Sequence, residues 1–174
     1  MISGYYNQIK NELLNNEVYK RVKDYSKNRN ELSTYYNVGK LLIEAGKQYG
    51  EKIIGNYSEK LVVEVGKKYN KRTLFRMRQF YKLIEEQKVS TVSTQLSWSH
   101  YCELLSIKDI DEINYYIITT ERYNLSVREL RERIKNKEYQ RLDDNTKLKL
   151  INKKELYISD TIKNPIIIKN KLEI

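Results

Sequence analysis

NKRTLFRMRQFYKLI, residues 70–84, divides into two faces as soon as it is wound into a helix. At about 100° per residue, Leu74, Met77, Tyr81 and Ile84 fall on one side, with Phe80 at its edge. Lys71, Arg72, Arg76, Arg78 and Lys82 fall on the other, with Phe75 and Gln79 among them. Lys67 and Lys68 precede the helix, and no acid stands between Lys67 and Lys82. The apolar face is expected to bury itself in a core. The basic face is left in water, its charge unmatched and an aromatic ring in its midst.

Working outward, helical spacing continues on both sides. Tyr5–Leu14 reads as a short amphipathic helix, closed by Asn15 and Asn16 as a junction. Val18–Ala45 reads as one long helix through Val22, Tyr25, Leu32, Tyr35, Val38 and Leu42, ending at Gly46. Glu51–Tyr69 follows, joined to the basic helix by almost no loop. Three helix starts share one capping pattern, in which a polar cap is flanked by an apolar staple. They are Asn70 with Tyr69 and Leu74, Ser97 with Leu96 and Tyr101, and Ser126 and Glu129 with Leu125 and Leu130. Lys108–Arg122 adds another helix, and Val89–Gln95 reads as a loop or a short hairpin. After Leu142 the period fades, and residues 143–174, with the single proline Pro165, read as a linker or tail. The fold class is therefore all-α: a helical domain over residues 1–142, with a helix-turn-helix-like core to which the hairpin would add a wing. In such a core the second helix, here the basic one, enters the major groove.

Composition narrows the partners. The chain carries 33 lysines and arginines against 23 acids, a net charge of +10. A surplus of that size favours nucleic acid first and an acidic protein surface second. No apolar run approaches the ~18–20 residues of a membrane span, and the N-terminus has no signal-peptide core. One cysteine, Cys102, and one histidine, His100, cannot build a Cys/His zinc cluster or an internal disulfide. No metal, cofactor or membrane is expected, and the expected address is the cytoplasm.

Four islands carry a resemblance: YYNVG (Tyr35–Gly39), TLFRMRQFY (Thr73–Tyr81), LSWSHY (Leu96–Tyr101) and VREL with Ile134 and YQR (Val127–Arg141). In order and spacing they resemble the N-terminal domain of YhcG-type proteins, bacterial members of the PD-(D/E)XK nuclease superfamily. The resemblance covers roughly residues 5–142. It implies a helical, helix-turn-helix-like module followed by a separate nuclease domain, and IKNPIIIKNKL resembles the linker into that domain. A metal-dependent nuclease of this class needs an acid followed by an acid-x-Lys pair on neighbouring strands. No such pair is legible, so the resemblance implies the accessory module without the catalyst.

Two functions follow as expectations. The first is a non-enzymatic, nucleic-acid-binding module, with DNA ahead of RNA. Lys71, Arg72, Arg76, Arg78 and Lys82 would contact phosphates, and Gln79 or Arg76 would reach base edges. The second is a protein-interaction module whose partner is a second copy, a nuclease or a nucleic-acid-binding defence enzyme. The remaining chemistry-bearing residues have plainer readings. His100 suits a hydrogen bond at a helix start, Trp98 a core anchor, and Cys102 a small buried residue. Arg122–Arg141, with charges of both signs, suits a salt-bridged helix surface.

Overall fold

A computed structural model describes residues 4–21, 27–86, 93 and 95–151. Among them every regular element is helical: α1 (Gly4–Arg21), α2 (Lys27–Tyr49), α3 (Ile53–Glu64), α4 (Lys71–Glu86), α5 (Trp98–Leu104), α6 (Ile110–Tyr123), α7 (Val127–Lys135) and α8 (Asp144–Ile151), with a 3-10 turn at Tyr139–Arg141. The helices sort into two compact units that divide between Leu105 and Ser106.

In the first unit α2 is the centre: α1, α3, α4 and α5 all pack on it. Its buried residues Leu32, Tyr35, Val38, Leu42 and Ala45 recur every three or four positions, the spacing that keeps side chains on one helix face. α1 answers with Tyr6, Ile9 and Leu13, α3 with Ile54, Tyr57 and Leu61, and α4 with Leu74, Met77 and Phe80. Where α2 meets α4 the backbones touch. A methyl group added at Gly39 would sit 2.3 Å from the Met77 carbonyl oxygen. Gly50, at φ 81°, closes α2 in the left-handed conformation that glycine adopts without steric cost.

Three of these helices differ from the sequence reading. α1 does not stop at Asn15–Asn16. Asn16 is buried and accepts a hydrogen bond from the Asn30 side chain of α2 at 3.1 Å, so a tertiary partner replaces the capping role that asparagine favours locally. α2 runs on to Tyr49, and the join expected through Val22 and Tyr25 lies outside the described residues. α3 ends at Glu64, and residues 65–70 form a real connection to α4 in place of an abrupt turn. Most of the Val89–Gln95 segment also lies outside the described residues.

The second unit is built on α6, against which α7, α8 and the 3-10 turn pack. Its core holds Ile113, Tyr116, Leu130, Tyr139 and Leu142. Asp109 caps α6 by accepting from the Asp111 amide at 2.9 Å, and Asn124 ends it at φ 48°. α8 stands where the sequence has little period. Only a local cap marks it: Asp143 accepts from the amide and hydroxyl of Thr146 at 3.0 and 3.1 Å. Thr146 is buried while Leu148 is exposed, so the helix has no apolar stripe to read. Residues 152–174, including Pro165, lie outside the described residues.

Candidate nucleic-acid interface

α4 begins where Asn70 accepts a hydrogen bond from the Thr73 amide at 3.2 Å. The staple expected beside it is present, since Tyr69 and Leu74 are both fully buried. The buried stripe is rotated slightly from the expected one. Phe80 lies at its centre rather than its edge, Leu83 is buried, and Tyr81 and Ile84 are only half-buried. The cause is a second neighbour. Besides α2, α4 packs against the start of α5, where Trp98 and Tyr101 meet the Phe80 ring at centroid distances of 5.5 and 4.9 Å.

That rotation decides which cations face water. Lys71, Arg72, Phe75, Gln79 and Lys82 are exposed and share one arc of α4. Arg76 and Arg78 are half-buried and flank it on either side. Among the side chains the structure describes, Lys71, Arg72, Arg76 and Lys82 make no ion pair. Arg78 is different. Its guanidinium makes a two-pronged bond to Glu51, just ahead of α3, at 2.5 and 3.0 Å, and its side chain is only 13% exposed. The hydrogen bonds from Arg78 hold the Glu51 carboxyl below the ordinary carboxylate range. The expectation that all five cations stand unmatched therefore meets one that is already matched by the protein itself. Arg78 also lies over the Phe75 ring at 5.5 Å, with the Lys71 ammonium 6.0 Å from the same centroid.

The face is firmly seated. Tyr36 on α2 donates a hydrogen bond to Glu85 near the end of α4 and packs its ring 5.0 Å from that of Tyr81. Tyr69, just before α4, donates to Glu17 of α1, which also pairs with Lys68. Lys68, one of the two lysines that precede the basic helix, is thus tied to α1.

The other singled-out residues are structural here. His100 forms the second half of the α5 capping box: the Ser97 amide donates to its Nδ1 at 3.1 Å. Trp98 packs between Tyr35 at 4.7 Å and Phe80 at 5.5 Å, as a core anchor does. Cys102 is half-buried, and burial pushes its thiol up, with Arg76 and Arg72 pulling the other way. A raised thiol pKa disfavours the reactive thiolate. Among the described residues no group of three or more His, Cys, Asp or Glu side chains is placed to hold a metal ion. No helix there is long and apolar enough to cross a membrane.

The sequence reading missed a buried polar cluster in the second unit. Arg133, read there as part of a charged surface, is buried and pairs at 3.0 Å with Glu138, which is 0% exposed. Tyr115 donates to the same carboxylate at 2.6 Å, and Tyr116 donates to the Arg133 carbonyl at 3.3 Å. Burial pushes the Tyr115 hydroxyl pKa upward, and the adjacent Glu138 charge adds to it. The left-handed Lys137, at φ 53°, turns the chain back so that Glu138 meets Arg133. Spacing of five residues gives no helical signal, and only that turn could have marked it. The Ser126–Glu129 box on α7 is present as expected, with bonds of 2.7 and 3.3 Å.

Residues 11–141 match the model of a protein family described as the DUF1016 N-terminal domain, and the chain belongs to that family. The family's description attaches no function to it. No curated protein and no solved structure matches the chain.

Proposed function

For a member of the DUF1016 N-terminal domain family, we propose a non-catalytic module that binds nucleic acid, DNA before RNA, through the outer face of α4. Lys71, Arg72, Arg76 and Lys82 contact phosphates, and Gln79 faces the bases. Arg78 sits beside them as a support held by Glu51. The α3–α4 pair serves as the helix-turn-helix-like element, and the module targets a nuclease of the YhcG type whose active site lies outside this stretch of chain. One observation carries the reading: from Lys71 to Lys82 the exposed arc of Lys71, Arg72, Phe75, Gln79 and Lys82 holds no carboxylate of its own. A helix face that only needs solubility mixes charges of both signs, whereas a face for a polyanion excludes its own acids.

The test is a salt-dependent shift of a labelled duplex. With four phosphates engaged, log K falls against log salt with a slope of about −3.6. A Lys71→Ala/Arg72→Ala/Lys82→Ala variant should lose most of that affinity while melting like the parent. Unchanged affinity in a folded variant removes α4 from the account. A second reading, docking onto a protein, draws on Leu14 and Val18, exposed one turn apart on α1. Concentration-dependent mass that a Val18→Lys change abolishes would favour it.

A further inference from the structure

We infer that the outer face of α4 reads A·T base pairs in the major groove of duplex DNA, with Gln79 on adenine and Phe75 on the thymine methyl group. The inference rests on the nucleic-acid reading above and names the duplex that this face takes.

Phosphates have no use for a phenyl ring, yet Phe75 is exposed in the middle of the cationic arc, 36% accessible. Left in water such a ring costs free energy in proportion to its bare apolar area. The Lys71 and Arg78 cations, 6.0 and 5.5 Å from its centroid, lie along it. Arg78 is itself pinned by Glu51, so one of the ring's neighbours is fixed. Gln79 follows one turn later, about 5–6 Å away at Cβ, and is exposed. It makes no hydrogen bond among the described residues. Its amide is therefore unspent, with a donor and an acceptor on one planar group.

That pair of side chains fits one base pair type. In the major groove adenine offers N7 as acceptor and its N6 amine as donor, which an amide side chain meets with both of its ends. Thymine offers a methyl group in the same groove, an apolar target for a ring. Neighbouring base pairs lie 3.4 Å apart along the axis, so two side chains one helical turn apart reach adjacent steps. Lys71, Arg72 and Lys82 then lie where the groove walls carry phosphate. Guanine and cytosine present no methyl group, and double-stranded RNA closes its major groove to side chains. Single strands would accept the ring by stacking but give Gln79 no fixed base edge to read.

The experiment is binding by fluorescence anisotropy at fixed salt. A random duplex library is first selected on the whole chain. The best duplex is then compared with the same duplex carrying deoxyuridine for thymidine. The inference expects A·T steps to be enriched and each critical methyl removal to weaken binding about fourfold. Phe75→Ala should bind both duplexes alike. Gln79→Ala should lose roughly 5- to 150-fold in discrimination at one A·T position and keep its salt slope. Both positions are exposed, and circular dichroism melting checks that each variant is folded. Salt-dependent binding with no base preference and no methyl effect overturns the inference and leaves the phosphate-binding reading standing. Tighter binding to single strands than to duplex overturns it as well. No binding of the parent chain to any nucleic acid overturns both.

Discussion

Replacing Gly39 with alanine tests the packing that seats the candidate face. The new methyl carbon would lie 2.3 Å from the Met77 carbonyl oxygen and 2.8 Å from the Tyr81 Cβ. Carbon-to-oxygen contacts of about 3.3 Å are the nearest that helix pairs tolerate, so α2 and α4 must separate by about 1 Å. The atom in the way belongs to the backbone and cannot swing aside. Overpacking of this kind costs about 1–3 kcal/mol, and the top of that range applies here. Alanine returns about 1 kcal/mol through its better helix propensity, leaving a net loss of about 2 kcal/mol. Gly55 in α3 is the matched control, since a methyl group there meets nothing within 4 Å. Gly55→Ala should gain about 0.4–1 kcal/mol. Urea denaturation followed by Trp98 fluorescence reads both variants, because the one tryptophan packs between Tyr35 and Phe80 inside this unit. A Gly39→Ala chain as stable as the parent would refute the close helix crossing.

Other substitutions separate support from contact. Arg78→Ala should lower the midpoint of urea denaturation, modestly because Glu51 is exposed. It should leave the salt slope of DNA binding alone, while Arg72→Ala shifts that slope by about one and leaves the midpoint. Glu138→Ala strands the buried Arg133 guanidinium and should cost about 3–5 kcal/mol by circular dichroism melting. Pairing Arg133→Met with Glu138→Leu should recover most of that loss. Hydrogen bonds from the Ser126 side chain and backbone hold the Glu129 carboxyl below its ordinary range. Its contribution is then present above the unfolded carboxylate pKa and lost as pH falls through the folded one. The stability gap between the parent and Glu129→Gln should therefore be open at neutral pH and close in acid, and a gap independent of pH would count against the capping box.

What was legible in the sequence was local. Caps at Asn70, Ser97 and Ser126 depend on residues three positions apart, and all three stand where their pattern placed them. The apolar stripe of α4 was legible to within the rotation imposed by Trp98 and Tyr101. Those rings arrive from more than fifteen residues downstream, where periodicity carries no information. Asn16 misled because its tertiary partner, Asn30, is invisible to a capping rule. Gly39 stands in the sequence only as the end of the YYNVG island, and its structural role lies in the Met77 backbone across the crossing. Within the candidate site, the cations were legible from charge and the wheel. That Glu51 had already taken Arg78 was not, since the two are far apart in the chain.

The placement of α2 has a consequence for how the α4 face meets a ligand. Every other helix of the first unit leans on α2, so lifting α4 away would strip a side of the central rod and break the bond from Tyr36 to Glu85. Amides midway along α2 should accordingly exchange with deuterium only when the whole unit opens. A surface mounted this way arrives in its binding shape, and association loses little to ordering before contact. Docking should resemble a key meeting a lock, with partner selection written in the fixed spacing of side chains along one rigid rod.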